Sequence, residues 1–230
     1  MKKCILVFIA SACLLSVLAF IYGCGTSPTG GGGGGDGSPF SAKVWVSTTG
    51  SDEYPAGDGS YAQPFKTIWK GLCSVTSGDT LGIKNGTYVL TWQMTWPAAS
   101  DITIRGELMQ NTIISGNDSC RAFYLQNIAS LVGASVTFEA LTFKDCYSGS
   151  DGGAIWLNTD CFAHFKKVHF LQNSVSSGSL NTSGAAISSQ NGTLVFDDCV
   201  FTENSATSGG FMMAGRGGAV FLSTNPSATF

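Results

Sequence analysis

The stretch TFEALTFKDCYSGSDGGAI, residues 137–155, contains the most informative pattern of the sequence. It holds two phenylalanines five residues apart and, after a polar segment, a box of small residues that ends in Ile155. The arrangement recurs twice, and its defining residues are the pairs Phe138/Phe143, Phe165/Phe170 and Phe196/Phe201 and the glycines Gly152, Gly153, Gly184, Gly217 and Gly218. Repetition at a few tens of residues is typical of a solenoid, in which each coil buries its faces against its neighbours.

Strand periodicity predicts which side chains of the repeat face inward. Alternate residues of a strand share one face, so Val136 and Phe138, and then Leu141 and Phe143, are expected inside the coil. The second phenylalanine of the later pairs is followed by Asn173 and Asn204, where the first pair has Cys146. Asparagine tolerates the left-handed backbone conformation, and we expect these amides to sit at turns and to hydrogen-bond from coil to coil. The prediction is an all-β parallel β-helix.

Two segments resemble known families. From Phe138 to Val220, the GGA(I/V) boxes and the FxxN motifs at Asn173 and Asn204 resemble the repeats of the chlamydial polymorphic outer-membrane proteins, which are β-helical surface passengers. From Val44 to Gly116, the motifs PFKTI, SGDTLGIKNGTY, ITIRGE and TIISG resemble the N-terminal region of pectate-lyase-like proteins. Both resemblances imply a right-handed parallel β-helix, a fold shared by lyases, hydrolases, tailspikes and adhesins, so they do not fix the function.

The segment before the repeats is expected to close one end of the solenoid. Ile68 and Leu72, like Phe65 and Trp69, are four residues apart, which predicts a short amphipathic helix that covers an apolar opening. We therefore assign residues 43–116 to an N-terminal cap with the first coils, and residues 117–230 to the repeats. A fourth phenylalanine pair would begin at Phe230, which predicts that the repeats continue in a longer protein.

The N-terminus is typical of an export signal, because Lys2 and Lys3 precede an apolar run from Cys4 to Tyr22. The residues up to Cys24 resemble a bacterial lipobox, which implies a signal peptide over 1–24, lipid attachment at Cys24 and, since Gly25 follows it, an outer-membrane or cell-surface location. An ordinary secretory signal and an uncleaved membrane anchor are the alternatives. Residues 25–42 are rich in glycine and are expected to form a flexible tether.

Composition excludes one class of partner and leaves the cysteines unassigned. Only 12% of residues are charged and the net charge is −3, so the chain has no basic patch for nucleic acid. Beyond the leader there are five cysteines, an odd number without the spacing of a zinc site, and we expect buried thiols whose pairing stays open: Cys73, Cys120, Cys146, Cys161 and Cys199.

Few residues are candidates for chemistry. A polysaccharide lyase needs clustered carboxylates for Ca²⁺ and a basic residue, and a hydrolase needs paired carboxylates. The available residues are Asp145, Asp151, Asp160, Asp197, Asp198, Lys166, Lys167 and Arg216. Repeat register favours a structural explanation instead, since it predicts outward columns of Glu139, Lys166 and Asp197, and of Lys167 and Asp198.

Histidine and tryptophan complete the set of candidate residues. His164 and His169 are five residues apart and are expected on opposite faces of an unbroken strand, which argues against a metal site. Tryptophan can stack on sugar rings, and among the five tryptophans we select Trp156 as the candidate for an exposed ligand contact.

Three functions remain open. The first is a non-catalytic, lipid-anchored surface module for adhesion or interaction, whose partners would be the membrane and glycans or surface components of a host or neighbouring cell. The alternatives are a polysaccharide lyase or glycoside hydrolase and a structural envelope spacer. No cofactor or metal is expected, except Ca²⁺ for the lyase.

Overall fold

A computed structural model describes residues 37–97, 99–126, 134–158, 161–177, 182–208, 217–223 and 227–229, all within one compact unit, Gly31–Phe230. The predictions for residues 1–24, for most of the tether, and for Asp160, Arg216 and Phe230 lie outside the described residues. No helix among the described residues is long and apolar enough to cross a bilayer.

The chain consists of short strands and one short helix. The elements are β1 (Val44–Val46), α1 (Ile68–Leu72), β2 (Thr80–Ile83), β3 (Gly86–Val89), β4 (Met94–Thr95), β5 (Ile102–Gly106), β6 (Thr112–Ser115), β7 (Phe123–Gln126), β8 (Ser135–Lys144), β9 (Tyr147–Ser148), β10 (Ile155–Asn158), β11 (Phe162–Leu171), β12 (Ser174–Ser177), β13 (Ile187–Ser189), β14 (Thr193–Asp197), β15 (Val200–Thr202), β16 (Ser205–Ser208), β17 (Val220–Leu222) and β18 (Ser227–Thr229).

The strands wind into a parallel β-solenoid of about four turns, as the repeat predicts. One sheet runs β1-β2-β5-β8-β11-β14-β18, with β3, β6 and β15 paired beside this path. The second sheet runs β4-β7-β10-β13-β17 and the third β9-β12-β16, and the strand pairs of all three sheets are parallel. A turn of the repeat region visits each sheet once, for example through β8, β9 and β10.

Stacked phenylalanine rings form the centre of the core. Phe138 lies on Phe165 with ring centroids 5.4 Å apart and planes inclined by 7°. Phe143 and Phe170 stack in the same way at 5.4 Å and 18°. Both stacks extend to the next coil, where Phe196 and Phe201 continue them. The predicted repeat is therefore confirmed, because parallel register places each ring above its equivalent.

A left-handed residue interrupts each long strand and changes its phase. Ala140, Lys167 and Asp198 have φ of 54°, 53° and 54°. The extra residue lets Phe165 and Val168, three positions apart, both point inward. Lys167 and Asp198 are both exposed and occupy equivalent bend positions of neighbouring coils, one residue after the paired Lys166 and Asp197, as the predicted second outward column requires.

The same bend corrects the prediction for the histidines. His164 and His169 alternate with buried residues on either side of the bend, so both face outward. The His164 Nε2 atom is 2.6 Å from Asp197 Oδ2, and the His169 Nε2 atom is 2.9 Å from Thr202 Oγ1. Burial lowers the pKa of His169. The prediction of opposite faces fails because the strand is not unbroken.

The asparagines form a buried hydrogen-bond ladder. Asn173 Nδ2 donates to Asn204 Oδ1 at 2.9 Å and to the Phe143 carbonyl at 3.1 Å, and its Oδ1 accepts from the Cys146 amide at 3.1 Å. The predicted ladder is thus present, but the asparagines are not the left-handed residues. The left-handed residues are instead Asp145, Gln172 and Glu203, which directly precede Cys146, Asn173 and Asn204.

The predicted short helix is present as α1. Thr67 is its N-cap, and its buried residues Ile68, Gly71 and Leu72 face β1 and β2. Gly71 is required there, because a Cβ atom would come within 2.7 Å of the Leu81 and Val46 side chains. Closure of the solenoid by this region remains a prediction.

We predict that Asn173→Ala lowers the free energy of unfolding by about 2–3 kcal/mol, because it removes the partners of buried polar groups of two neighbouring coils. Urea denaturation measures the change. Asn191→Ala, at an exposed asparagine, is the control and should change stability by less than about 0.5 kcal/mol. Equal effects of the two substitutions would contradict the ladder's role.

Candidate functional site

An open groove lies between the beginning of α1 and the segment from β3 to β4. Its volume is about 280 Å³. The lining residues, which we call the tryptophan groove, are Thr48, Lys66, Thr67, Ile68, Trp69, Thr87, Tyr88, Val89, Leu90, Thr91, Trp92 and Met94. Small-molecule sites usually have volumes of roughly 300–1,000 Å³, so the tryptophan groove is at the lower end and suits one small ligand group.

Asp52 fixes the helical wall of the groove. Its Oδ1 atom accepts from the Lys66 amide at 2.8 Å and the Thr67 amide at 3.0 Å, while Oδ2 accepts from the Thr67 hydroxyl at 2.7 Å. Thr67 Oγ1 in turn accepts from the Lys70 amide at 3.1 Å, as an N-cap does. The Asp52 carboxylate does not line the groove itself, but its hydrogen bonds fix the backbone that carries Lys66 and leads to Trp69.

The floor of the groove is buried and rigidly attached to the first coil. Met94 is 2% exposed and Ile68 is 3% exposed. The buried Tyr88 hydroxyl donates towards the carbonyl oxygens of Val46, at 3.1 Å, and Lys84, at 2.9 Å. Burial, together with the Glu107 carboxylate, raises the pKa of Tyr88 well above its ordinary value, so this phenol stays neutral.

The rim of the groove combines an exposed indole, hydroxyl groups and one cation. The side chain of Trp92 is 62% exposed and that of Val89 is 58% exposed, whereas Trp69 is partly buried. Thr48, Thr87 and Thr91 are exposed around them. Among the described residues that line the groove, Lys66 is the only charged one. Such a rim can bind a ligand with an apolar face, hydroxyls and negative charge.

Trp156 occupies a different and more crowded position. It is partly buried on β10 and stacks on Tyr124 of β7, with centroids 4.7 Å apart and planes inclined by 17°. The Arg121 guanidinium lies 5.1 Å from its ring, and the buried Nε1 atom has no hydrogen-bond partner among the described residues. Trp92, not Trp156, is the exposed tryptophan of the described chain.

Arg121 explains why the surroundings of Trp156 are fixed. Its Nε donates to the Gly152 carbonyl at 2.6 Å, Nη1 to Gln93 at 2.7 Å, and Nη2 to Ser148 at 2.6 Å. Burial lowers its pKa to about 10, which still leaves it charged at neutral pH. The guanidinium thus binds the segment before the small-residue box to the preceding coil and acts as a structural tie.

The candidate acids and bases do not gather at one place. Asp197 contacts His164, and Lys144 Nζ lies 3.2 Å from Asp145. Lys166 is in register between Glu139 and Asp197, which confirms the predicted outward column, and Arg105 extends it with an ion pair to Glu139 at 3.6 Å. Within the described ranges, no three His, Cys, Asp or Glu side chains form a metal-binding group.

No protein-family model, curated protein or solved structure matches this chain. The similarities to pectate-lyase-like proteins and to chlamydial surface repeats therefore remain similarities of motif. The strand register and the stacked core establish the parallel β-solenoid, and the tryptophan groove is its candidate site.

Sequence reasoning missed the groove because no local pattern marks it. In TWQMTW, residues 91–96, the residues Trp92, Met94 and Trp96 have the same parity, which predicts one common face. The strand, however, covers only Met94–Thr95, and the chain bends at Trp92. Trp96 is 4% exposed whereas Trp92 points into solvent, so the difference arises from the bend alone.

We predict that Asp52→Ala lowers the free energy of unfolding by about 1–2 kcal/mol, because two amides and one hydroxyl lose their shared acceptor. Urea denaturation checks this. Glu53→Ala removes an equal charge at the adjacent, exposed position and is the matched control. Equal stability of the two variants would show that Asp52 does not hold the helical wall.

Proposed function

We propose that this chain is a non-catalytic binding module displayed on the outer side of the bacterial envelope, and that the tryptophan groove binds glycan. The observation that carries the proposal is the exposed indole of Trp92, 62% exposed beside Trp69 and above a buried floor. Trp92 adjoins the exposed Val89 and the partly buried Trp69 in the groove lining, and a contiguous exposed apolar surface of this kind can mark a contact site.

The chemistry of the rim favours a sugar. The C–H face of a pyranose packs on an indole, while the sugar hydroxyls require hydrogen-bond partners at the edge of the ring. The exposed hydroxyls of Thr48, Thr87 and Thr91 are placed to provide them. The groove therefore suits one or two rings of a longer chain, which runs on over the surface.

The charge of the rim favours an acidic sugar. Lys66 is exposed and is the only charged residue among the described lining residues, while the nearest carboxylate, Asp52, lies outside the lining with both oxygens in hydrogen bonds. An exposed ammonium group contributes modestly and its contribution is screened by salt. We expect Lys66 to select among glycans and Trp92 to supply most of the affinity.

Display at the surface is supported by the sequence before the solenoid. A charged and apolar leader ends in the lipobox-like residues up to Cys24, and a glycine-rich segment separates Cys24 from β1. Lipid attachment would hold the module at the membrane, and the tether would let the groove reach ligands beyond the lipid headgroups.

Binding without turnover is supported by what the polar groups already do. Asp197 contacts His164, Asp145 contacts Lys144, and Asp52 serves α1. Their contacts are structural, and Asp52, the one nearest the groove, has both carboxylate oxygens occupied. A glycan in the groove would thus meet a stacking surface, hydroxyls and a cation.

We predict that Trp92→Ala weakens binding to a responsive glycan about 5- to 10-fold, because stacking on one aromatic ring contributes about 1 kcal/mol. Calorimetry against uronic-acid polymers and neutral glycans, with and without Ca²⁺, measures the affinity. Tyr54→Ala removes another exposed aromatic side chain, 86% exposed and outside the groove, and should leave binding unchanged. Unchanged binding by Trp92→Ala, or release of cleaved product by the wild-type chain, would contradict the proposal.

Lys66→Ala should weaken binding to acidic glycans about 2- to 5-fold and leave neutral glycans unaffected, since an exposed charge pair contributes about 0.5–1 kcal/mol. The difference should shrink as salt is raised. Lys166→Ala, an exposed lysine on β11, is the control. An equal loss for neutral and acidic glycans would show that Lys66 shapes the groove rather than selecting charge.

A further inference from the structure

One inward column of the solenoid begins with two cysteines in place of asparagines. The Tyr147 amide donates to the Cys120 carbonyl at 3.1 Å, the Ser174 amide to the Cys146 carbonyl at 2.8 Å, and the Ser205 amide to the Asn173 carbonyl at 3.0 Å. Each bond joins the residue after one column member to the column member one coil earlier. Cys120, Cys146, Asn173 and Asn204 therefore occupy equivalent positions in four successive coils.

The asparagine half and the cysteine half of this column differ in their side-chain hydrogen bonds. Asn204 and Asn173 are linked by their amides, and Asn173 Oδ1 accepts from the Cys146 backbone at 3.1 Å. Cys146 has no side-chain amide with which to pass the ladder on to Cys120. The coil that contains Cys120 thus lacks the side-chain link that joins the later coils.

The spacing of the two cysteines suits a disulfide. Equivalent residues of neighbouring parallel strands are about 4.8 Å apart, within the roughly 4.4–6.8 Å between Cα atoms that a disulfide bridges. The Cβ atoms of stacked residues are about 4.8 Å apart, roughly 1 Å farther than their mean separation in a disulfide, so the two residues must move closer together. Such a movement is modest at a turn between strands.

Both thiols are free in this structure, and their residues flank Gly116. Cys120 Sγ lies 3.8 Å from the Gly116 carbonyl oxygen and 3.8 Å from the Leu90 carbonyl oxygen of the preceding coil, and Cys146 Sγ lies 3.5 Å from the Lys144 carbonyl oxygen. Burial raises the pKa of Cys146, and the neighbouring Cys120 thiol adds to the increase. Gly116 leaves room between them, because a Cβ atom there would collide with Cys120 O and Cys146 Cα.

We propose that Cys120 and Cys146 are a modification site and form a disulfide between successive coils under oxidising conditions. The oxidant is a protein or glutathione disulfide. The Cys120 thiolate, the more exposed of the two, attacks one sulfur of that disulfide and displaces the first thiolate. Cys146 then gives up its proton, attacks Cys120 Sγ and displaces the second thiolate. One S–S bond forms, the oxidant's S–S bond breaks, and two electrons pass to the oxidant, whose two sulfurs are left as thiols.

The disulfide would supply a covalent link between the coils of Cys120 and Cys146, which no side-chain amide joins. It closes the loop between residues 120 and 146, and cross-links of this loop length stabilise mainly by restricting the unfolded chain. The inference shares one premise with the proposed function, namely display in an oxidising compartment, but its chemistry is testable without it.

The test uses the full chain, incubated reduced and then with a mixture of reduced and oxidised glutathione. Peptide mapping by mass spectrometry should find the Cys120 and Cys146 peptides joined, with the loss of two hydrogen atoms. Reduction should lower the melting temperature by about 5–10 °C in the wild type and by nothing in Cys120→Ser. Cys199→Ser, which removes a thiol from another column, should retain the full sensitivity to reductant.

Cys146→Asn is a second test variant, in case Cys120→Ser does not fold. It supplies a side-chain amide at the position where the asparagine ladder ends. It should fold, lose the joined peptides and become insensitive to reductant. Free Cys120 and Cys146 in the oxidised wild type, or joined peptides that involve other cysteines, would overturn the proposal. Joined peptides after glutathione treatment but free thiols in protein from the cell envelope would uphold the site and instead contradict display in an oxidising compartment.

Discussion

Parallel hydrogen bonding between equivalent strands of successive coils determines the position of almost everything else in this structure. In parallel register a residue lies directly above its equivalent, about 4.8 Å away. Identical side chains therefore meet, and phenylalanine meets phenylalanine with ring planes inclined by only 7° to 18°. The same constraint joins the amides of Asn173 and Asn204. One interaction thus produces both the apolar and the polar columns of the interior.

The left-handed residues reconcile this stacking with a closed coil. A straight strand would point Phe138 and Phe143, five residues apart, to opposite sides. One bend residue with positive φ changes the phase, and both rings enter the core. Conformations of this kind cost about 1 kcal/mol or more at a non-glycine residue, and the burial of Leu141, Val168 and their equivalents offsets that cost. Because the coils are stacked, the bend recurs at the same place.

The candidate site lies where repetition gives way to individual residues. Near α1 the described strand pairs bring unlike residues together, such as Val44 with Leu81 and Thr87 with Ile113, and the groove presents an indole, hydroxyls and an ammonium group. Asp52 and Tyr88 supply the rigidity that stacking provides elsewhere. Cys120 and Cys146 also lie in this region, between the asparagine ladder and the first coils. Both proposed sites therefore lie toward the N-terminal, less regular end of the described chain.

The architecture could be predicted from the amino-acid sequence, because the spacing of the repeats sets the register of a solenoid. The phenylalanine pairs, the column of Glu139, Lys166 and Asp197, and the asparagine ladder all follow from that spacing. The folded structure was needed to identify the residues that bend the strands, the common face of His164 and His169, and the exposure of Trp92 rather than Trp156. These outcomes depend on single backbone angles and on contacts between segments distant in sequence. The spacing of residues in the sequence predicts neither these backbone angles nor these contacts.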